Sequence, residues 1–508
     1  MPDVVISAFA GLLGAVLVAV TALSVGAFRR RARARPSAAL QPPALKQPSF
    51  AMPNLYVGTP ESAGKPPLQR ALEVAGELQR ENRHKEAIAR LRVALLSATD
   101  DRERSILNRR IGNSLSATSK MGEAKDHYET AVRYAESAGD LLALGWALGN
   151  RGIVHLQLGD LARAESDLTR ALEVHEKNDH PLGRASALSG LGDLWADRGD
   201  IERAKECYLE ALQIYREIGN RMGEADVLVS LGNIYHRERR TDLAEAQYEQ
   251  ALAINREIGN RLGEAQALGG LGNVYRDRND LDIAEQLDRQ AVRIQRDIGD
   301  RLGEATSLRN LGRDDRRRGD LEQAEQHLKQ ALEIYDKIGN RPGVANALGN
   351  LGNVYRDRGD LDRAQQHFKE ALEIHRSVGT GAGRVYNTAA LGAVAGLRAR
   401  SKEDSGEARR LYEEARGLYE EALGMCGRVD SAEAKQCALE IRVQLLMIEA
   451  ESARLDEQLE EAYQSYKQAL GLGEKANTVE AGKLAEEIKK RLLEIDAEIV
   501  AKLSKATA

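Results

Sequence analysis

Apolar residues recur along most of this chain at spacings of three and four, interrupted at regular intervals by a short polar break. Leu348, Leu351 and Tyr355 form one such run, and Leu361, Ala364, Phe368, Ala371 and Ile374 form the next, with Gly359-Asp360 between them. That spacing puts one apolar stripe on each of two helices, so the stretch predicts a helical hairpin. The hairpin is repeated. The motif ALGNLGNVYRDRGDLDRAQQHFKEALEIH begins at Ala347, and the sequence reads SLRNLGRDDRRRGDLEQAEQHLKQALEIY forty residues earlier. Forty before that it reads ALGGLGNVYRDRNDLDIAEQLDRQAVRIQ, and the register holds without insertion from about residue 104 to 380.

Repetition at this length predicts an all-α fold, an α-solenoid in which each hairpin covers the apolar face of the next. Asp360 suits the N-cap of the second helix, and Asp320 with Gln323 resembles a capping box. Gly299 and Gly339 suit the left-handed position after a helix, Asn340 and Asp300 can cap the next one, and Pro342 and Pro181 fall in a first turn. Gly352 recurs as Gly312, Gly272, Gly232, Gly192, Gly152 and Gly112. These glycines lie inside predicted helices with no strand before them, so they are packing positions at a crossing with Ala364 rather than a phosphate loop. A shorter unit at 68–102 carries Leu78, Ala87, Leu91 and Ala94. Residues 384–427 read as another unit and 431–477 as a degenerate one. Val479 to Leu503 reads as an amphipathic cap with Leu484, Ile488, Leu492, Ile495 and Ile499 on one face.

The beginning of the sequence breaks the pattern. Val4 to Phe28 holds 25 residues without a charge, followed by Arg29, Arg30, Arg31, Arg33 and Arg35. As a helix it would be roughly 37 Å long, enough to span a bilayer with some tilt. Its length and the position of its charges favour an uncleaved transmembrane helix over a signal peptide. The positive-inside rule then predicts a single-pass membrane protein with its array in the cytoplasm. The domain plan that follows is an anchor with a basic flank at 1–35, a Pro-rich linker at 36–67, an array at 68–427, a degenerate repeat at 428–477 and a capping helix at 478–508. Aromatic content of only 4% and 30% charged residues suit thin helical layers better than one large core. A net charge of −5 gives no case for nucleic acid. Cys207, Cys426 and Cys437 have no motif spacing and suit a reducing compartment.

The pattern Leu348, Leu351, Gly352, Tyr355, Ala364, Phe368, Ala371 resembles the tetratricopeptide repeat, with the usual proline replaced by the stretch from Arg376 to Gly383. Forty-residue repeats with IGNRLGEA-like linkers look like those of Pins-type adaptors and of the arrays attached to bacterial CHAT proteases and STAND-type NTPases. The resemblance implies a helical solenoid that binds other proteins, with its first helices lining a concave face. It is specific for fold and nearly silent about function.

No catalytic constellation is visible. Nine histidines are scattered without a metal-binding spacing, and His155, His175 and His180 suit inter-helix or surface roles. No metal, cofactor or small-molecule substrate is implied, and the reading is of a protein that is not an enzyme. What remains is a surface. Beside the apolar stripe run Gly349, Asn353 and Arg356; Arg309, Arg313 and Arg316; Gly269, Asn273 and Arg276; and Val229, Asn233 and His236. Asparagine pairs with an extended backbone and arginine with carboxylates, so this ladder is the candidate site for acidic, extended peptide segments of partner proteins. The arginines lie outside the apolar stripe and should be replaceable without loss of fold. Nearer the N-terminus the ladder becomes Gly149, Ile153 and Leu156, with Trp146 a turn before, an apolar patch suited either to an anchor residue of a partner or to cover by the chain's own linker through Phe50, Met52, Leu55 and Tyr56. Asp315 stands where other units have Tyr235, Tyr275 and Tyr355, with Asp314 beside it, and predicts a weak layer. The leading reading is a membrane-anchored interaction scaffold. Its rivals are a regulatory subunit of a separate enzyme or transporter, and an exported assembly factor.

Overall fold

The computed structural model describes residues 67–80, 83–118, 120–426, 432–476 and 479–507. The segment from Val4 to Phe28, its basic flank and the linker up to residue 66 lie outside them. Among the described residues no helix is long and apolar enough to cross a membrane. The expected single-pass membrane localisation is therefore corrected: no described helix can cross a bilayer.

Every regular element among the described residues is a helix, from Pro67–Arg80 to Val479–Thr507. In each repeat a first helix, A, is followed by a second, B. Arg221–Arg237 and Thr241–Glu257 form one pair, Arg301–Arg318 and Leu321–Lys337 another, and Arg341–Asp357 and Leu361–Val378 a third. The caps follow the sequence. Asp320 accepts from the backbone N–H of Gln323 at 3.1 Å and Asn340 from that of Gly343 at 2.9 Å, each satisfying a donor that the helix start leaves open. Gly339 has φ +70° after helix Leu321–Lys337, the left-handed geometry that ends a helix without a Cβ penalty.

The recurrent helical glycine has a specific neighbour, though not the expected one. A Cβ on Gly352 would lie 2.6 Å from the ring of Phe368, and one on Gly232 would lie 2.6 Å from the ring of Tyr248. The glycine admits the large B-helix side chain sixteen residues later. Ala364 is buried in the same core but is not what meets it.

The chain divides into two compact units, one ending at Val274 and one running from Tyr275 to the C-terminus. In the N-terminal unit, the hairpin Pro67–Arg80 and His84–Leu96 buries Leu78, Ala87 and Leu91 against Leu107 and Ile111 of the next helix. Later layers bury Ala204, Tyr208 and Leu228. In the C-terminal unit, Leu351, Tyr355, Phe368 and Tyr386 form one core with Tyr419, Cys437 and Ile448. Val479–Thr507 closes that unit as a cap, burying Leu484, Ile488 and Ile495, with Leu492 and Ile499 packed beside them. Within each unit successive A helices touch one another directly, as Leu141–Gln157 touches Pro181–Arg198 and Arg301–Arg318 touches Arg341–Asp357. Residues on that inner seam therefore face neighbours from the next repeat.

Candidate functional site

Several A helices carry a residue on the inner seam that lies fifteen positions before a large B-helix side chain, and chemistry at the two positions is matched in four repeats of the N-terminal unit. Tyr128 donates its hydroxyl to Asn113 at 2.6 Å, Tyr208 donates to Asp193 at 2.6 Å, and Tyr248 donates to Asn233 at 2.8 Å. Where the A residue is Ile153, the B residue is Leu168, and both are buried in one apolar cluster. Polar meets hydroxyl and apolar meets apolar, so no buried polar atom is left over at this position. In the C-terminal unit Tyr466 donates to Glu451 at the same separation, at 2.7 Å.

Three consecutive repeats break the rule, the first because Asn273 stands fifteen residues before Asp288, a buried carboxylate that holds Arg276. Arg313 stands fifteen residues before Leu328, and Asn353 fifteen before Phe368. Neither partner has a hydroxyl. Arg313 is 7% exposed, its Nη2 is buried without a partner, and no described residue gives it a hydrogen bond or an ion pair. Burial, then the neighbouring Arg276, Arg317 and Arg309, disfavour its charged form, and Asp314 opposes them. Arg309, one turn earlier and half-buried, has no partner either, and its Nε is buried. Asn353 donates its amide to the hydroxyl of Tyr386, but its Oδ1 is buried and unpaired.

The other predicted arginines have internal partners. Arg276, 1% exposed, donates from Nε to Asp314 Oδ1 at 2.6 Å, from Nη2 to Asp314 Oδ2 at 3.0 Å, and from Nη2 to Asp288. Asp288 and Asp314 are themselves fully buried, so this is an interior ionic cluster. Arg316 donates to Asp357 at 2.8 Å, and Arg356 donates to the same carboxylate from Nε at 3.3 Å and Nη2 at 3.2 Å. The expectation that these cations can be replaced without loss of fold is corrected for Arg276 and Arg356, which are among the most deeply buried side chains. Arg316 is buried as well. A period that places a residue beside the apolar stripe cannot reveal that a second A helix covers it.

The remaining predicted residues fall in the N-terminal unit. Asn233, His236 and Asn273 are half-buried, and Asn233 already holds the Tyr248 hydroxyl. Trp146 is buried, edge-on to His175 with centroids 5.1 Å apart and to His180 at 5.7 Å. Ile153 and Leu156 are also buried, so the exposed apolar patch expected around Trp146 is corrected to an inter-helix core.

Asp315 differs from its expectation as well. It is buried, and its Oδ2 lies 2.7 Å from His327 Nδ1 on the B helix of its own repeat, while Asp314 holds Arg276. The acidic pair is satisfied by residues on either side rather than left as a weak layer. Sequence reading also missed that Cys426, at the end of helix Ser405–Cys426, and Cys437, near the start of helix Ala432–Leu455, meet with sulfurs 3.6 Å apart. It missed as well a cavity of about 400 Å³ in the N-terminal unit, lined by Lys125, Glu129, Arg151, His155, Arg163, Ser166 and Asp167. Arg151 and Asp167 pair within it through two bonds of 2.7 Å.

Comparison with known proteins agrees with the hairpin pattern. The sequence profile of the tetratricopeptide repeat matches residues 102–177, 183–257, 263–337, 304–377 and 343–421. No curated protein matches the sequence. Among solved structures, this protein is similar to a signal transduction ATPase with numerous domains and a tetratricopeptide repeat sensor from Pyrococcus horikoshii, at 17% identity and TM-score 0.49, covering 66% of this chain and 53% of that one. It is similar to the apo quorum sensor NprR from B. thuringiensis at 16% identity and TM-score 0.49, covering 70% and 97%. A Rap protein complexed with competence and sporulation factor matches at 16% identity and TM-score 0.47, covering 70% and 99%. With the repeat matched over most of its length, this chain belongs to the tetratricopeptide repeat family.

Proposed function

We propose that the protein is an interaction scaffold that holds an extended, acidic segment of a partner protein along its A helices. The observation that carries this reading is Arg309 and Arg313. They are neighbouring cations without a hydrogen-bonded carboxylate, on a helix whose other seam arginine, Arg316, is paired with one, although Asp288 and Asp314 lie close enough to act on the charge of Arg313. A buried cation without a hydrogen-bonded carboxylate is costly to the fold, and a partner's carboxylate would relieve that cost on binding. Unpaired acceptors nearby, such as Asn353 Oδ1, suit the backbone N–H groups of an extended peptide. Arg276, Arg316, Arg356 and Trp146 support the fold under this reading.

The test is a binding screen of the full-length protein against short synthetic peptides of graded charge, read by fluorescence anisotropy at low and high salt. Capture of acidic peptides, weakened by salt because exposed charges are screened over about 8 Å at physiological ionic strength, supports the reading. Equal affinity for acidic and basic peptides contradicts it.

A further inference from the structure

We infer that the cavity between the B helices of repeats 101–140 and 141–180 is a small-molecule site that takes an aromatic carboxylate. It uses none of the seam residues and is independent of the scaffold reading.

Elsewhere an aromatic ring stands at this place. Tyr355, near the end of its A helix, donates its hydroxyl at 2.7 Å to Glu325 on the preceding B helix, and Lys329 pairs with the same carboxylate at 2.7 Å. From the B helix of its own repeat, Arg363 lies over the ring at 5.5 Å from its centroid, and the His367 ring is 5.2 Å away. Trp195 is covered in the same way by Arg203, at 4.7 Å. Five repeats before Tyr355 the residue in register is His155. Lys125, Glu129, Arg163 and Asp167 stand there in the places of Glu325, Lys329, Arg363 and His367. All five line the cavity of about 400 Å³. The space follows from the substitution, because an imidazole is smaller than a phenol and stops short of the preceding B helix. Exposed Arg163 and Ser166 leave it open to solvent.

Two features mark a built site rather than a packing defect. First, Arg163 holds Asp160 at 3.4 Å, the same distance as Arg363 to Asp360 and Arg203 to Asp200. The guanidinium that covers a ring in those two repeats is held by the same pairing here. Second, the charge beyond the ring is inverted. Glu325 accepts a phenolic hydroxyl, whereas Lys125 makes no hydrogen bond or ion pair with a described residue. The rest of the wall is close to neutral. Arg151, in the place of buried Leu351, meets Asp167 through two bonds of 2.7 Å, and burial holds His155 below its ordinary range, with Asp167 and Asp160 opposing. A ring beneath Arg163 gains a cation–π contact, and a substituent reaching Lys125 is favoured as an anion. The volume is that of a site for a small ligand. Glu129, one turn from Lys125, suits an ammonium. A free aromatic amino acid is therefore one source of the carboxylate and a simple aromatic acid the other.

The test is saturation-transfer NMR on the full-length protein with four probes: 4-hydroxyphenylacetate, L-tyrosine, tyramine and acetate. The expected result is saturable binding of one or both of the first two, strongest at the ring protons, and none of tyramine or acetate. Tighter binding of L-tyrosine assigns the ammonium to Glu129, and tighter binding of 4-hydroxyphenylacetate assigns the site to simple acids; both support it. His155→Tyr supplies the ring from within, as Tyr355 does, and is expected to abolish binding with a thermal midpoint no lower than the parent's. Lys125→Ala, at a half-buried position, is expected to weaken binding about tenfold or more and keeps the test valid if the tyrosine variant does not fold. Undiminished binding in either folded variant overturns the site. So does binding of tyramine or acetate as tight as that of the aromatic acids, or no saturable binding of any probe up to about 10 mM. None of these outcomes touches the scaffold reading, whose residues lie on the seam.

Discussion

Repeats 221–260 and 301–340 follow one plan. Asn220 and Asp300 each cap the A helix through the third backbone N–H, and Gly232 and Gly312 each admit a large side chain from the B helix. They differ at the paired positions. Asn233 holds Tyr248, whereas Arg313 faces Leu328 with nothing to hold. The first arrangement completes the fold from within its own repeat, and the second leaves it incomplete. The lesson is that an asparagine or arginine at the right place in a repeat is not by itself a contact residue. It becomes one where the residue fifteen positions later stops satisfying it.

The largest effect is expected at the position one turn beyond. Arg276 holds two buried carboxylates, whereas repeat 221–260 has half-buried His236 there. Arg276→Ala leaves Asp288 and Asp314 facing each other in the interior and is expected to cost roughly 3–5 kcal/mol, as for other broken buried pairs. His236→Ala is expected to cost less than about 1 kcal/mol. Urea unfolding of the two variants measures the contrast, and equal losses would remove the distinction between the repeats.

Acid is expected to act on different repeats. Burial pushes His175 down to about 4, with His180 and Arg109 adding to it, and burial alone pushes His375 to about 4. Both are neutral in the folded protein at pH 7, and stability from them is fully present above about pH 6.5. It falls as pH drops toward 4, because the unfolded state takes up protons that the folded state refuses. The loss is up to about 3 kcal/mol for each histidine. Unfolding followed by hydrogen exchange as a function of pH should show repeats 141–180 and 341–380 loosening first. Loss beginning in 301–340 would contradict this.

Asp315→Tyr is expected to destabilise by about 1–2 kcal/mol, since it removes a hydrogen bond of 2.7 Å to His327 and leaves that side chain unpaired. The repeat pattern alone, which has tyrosine at this position elsewhere, predicts a gain, so the sign of the change in thermal unfolding separates the two accounts. The smallest effect is the gain from Phe368→Tyr, about 0.5–1.5 kcal/mol for the new hydrogen bond to Asn353.

The helical hairpins, their caps and the closing helix were legible in the sequence because each depends on residues a few positions apart. Asp320, Gly339 and Ile488 do locally what their types suggest. The membrane anchor is a different case, since Val4 to Phe28 falls outside the described residues, and no described helix can cross a bilayer. The seam was only half legible. Sequence spacing placed Arg276, Arg313 and Arg356 on one face, but Arg276 is held by Asp288 and Asp314 on other helices, Leu328 gives Arg313 no hydrogen bond, and Arg356 pairs with its own sequence neighbour Asp357, which also takes Arg316 from the preceding A helix. Trp146 read as exposed for the same reason: His175 and His180, which flank it, belong to the next helix and the turn after it. The matching rule itself was present in the sequence as a covariation across fifteen residues, and the hydrogen bonds show what it means.

The central claim is that an acidic peptide completes repeats 301–340 and 341–380. Amide hydrogen exchange of the full-length protein, with and without a saturating alternating Glu–Ala peptide, tests it most directly. The account predicts slowed exchange centred on Arg301–Arg318 and Arg341–Asp357, with Arg221–Arg237 unchanged because Asn233 is already paired. Protection centred on Arg221–Arg237, with none at repeats 301–340 and 341–380, would contradict it.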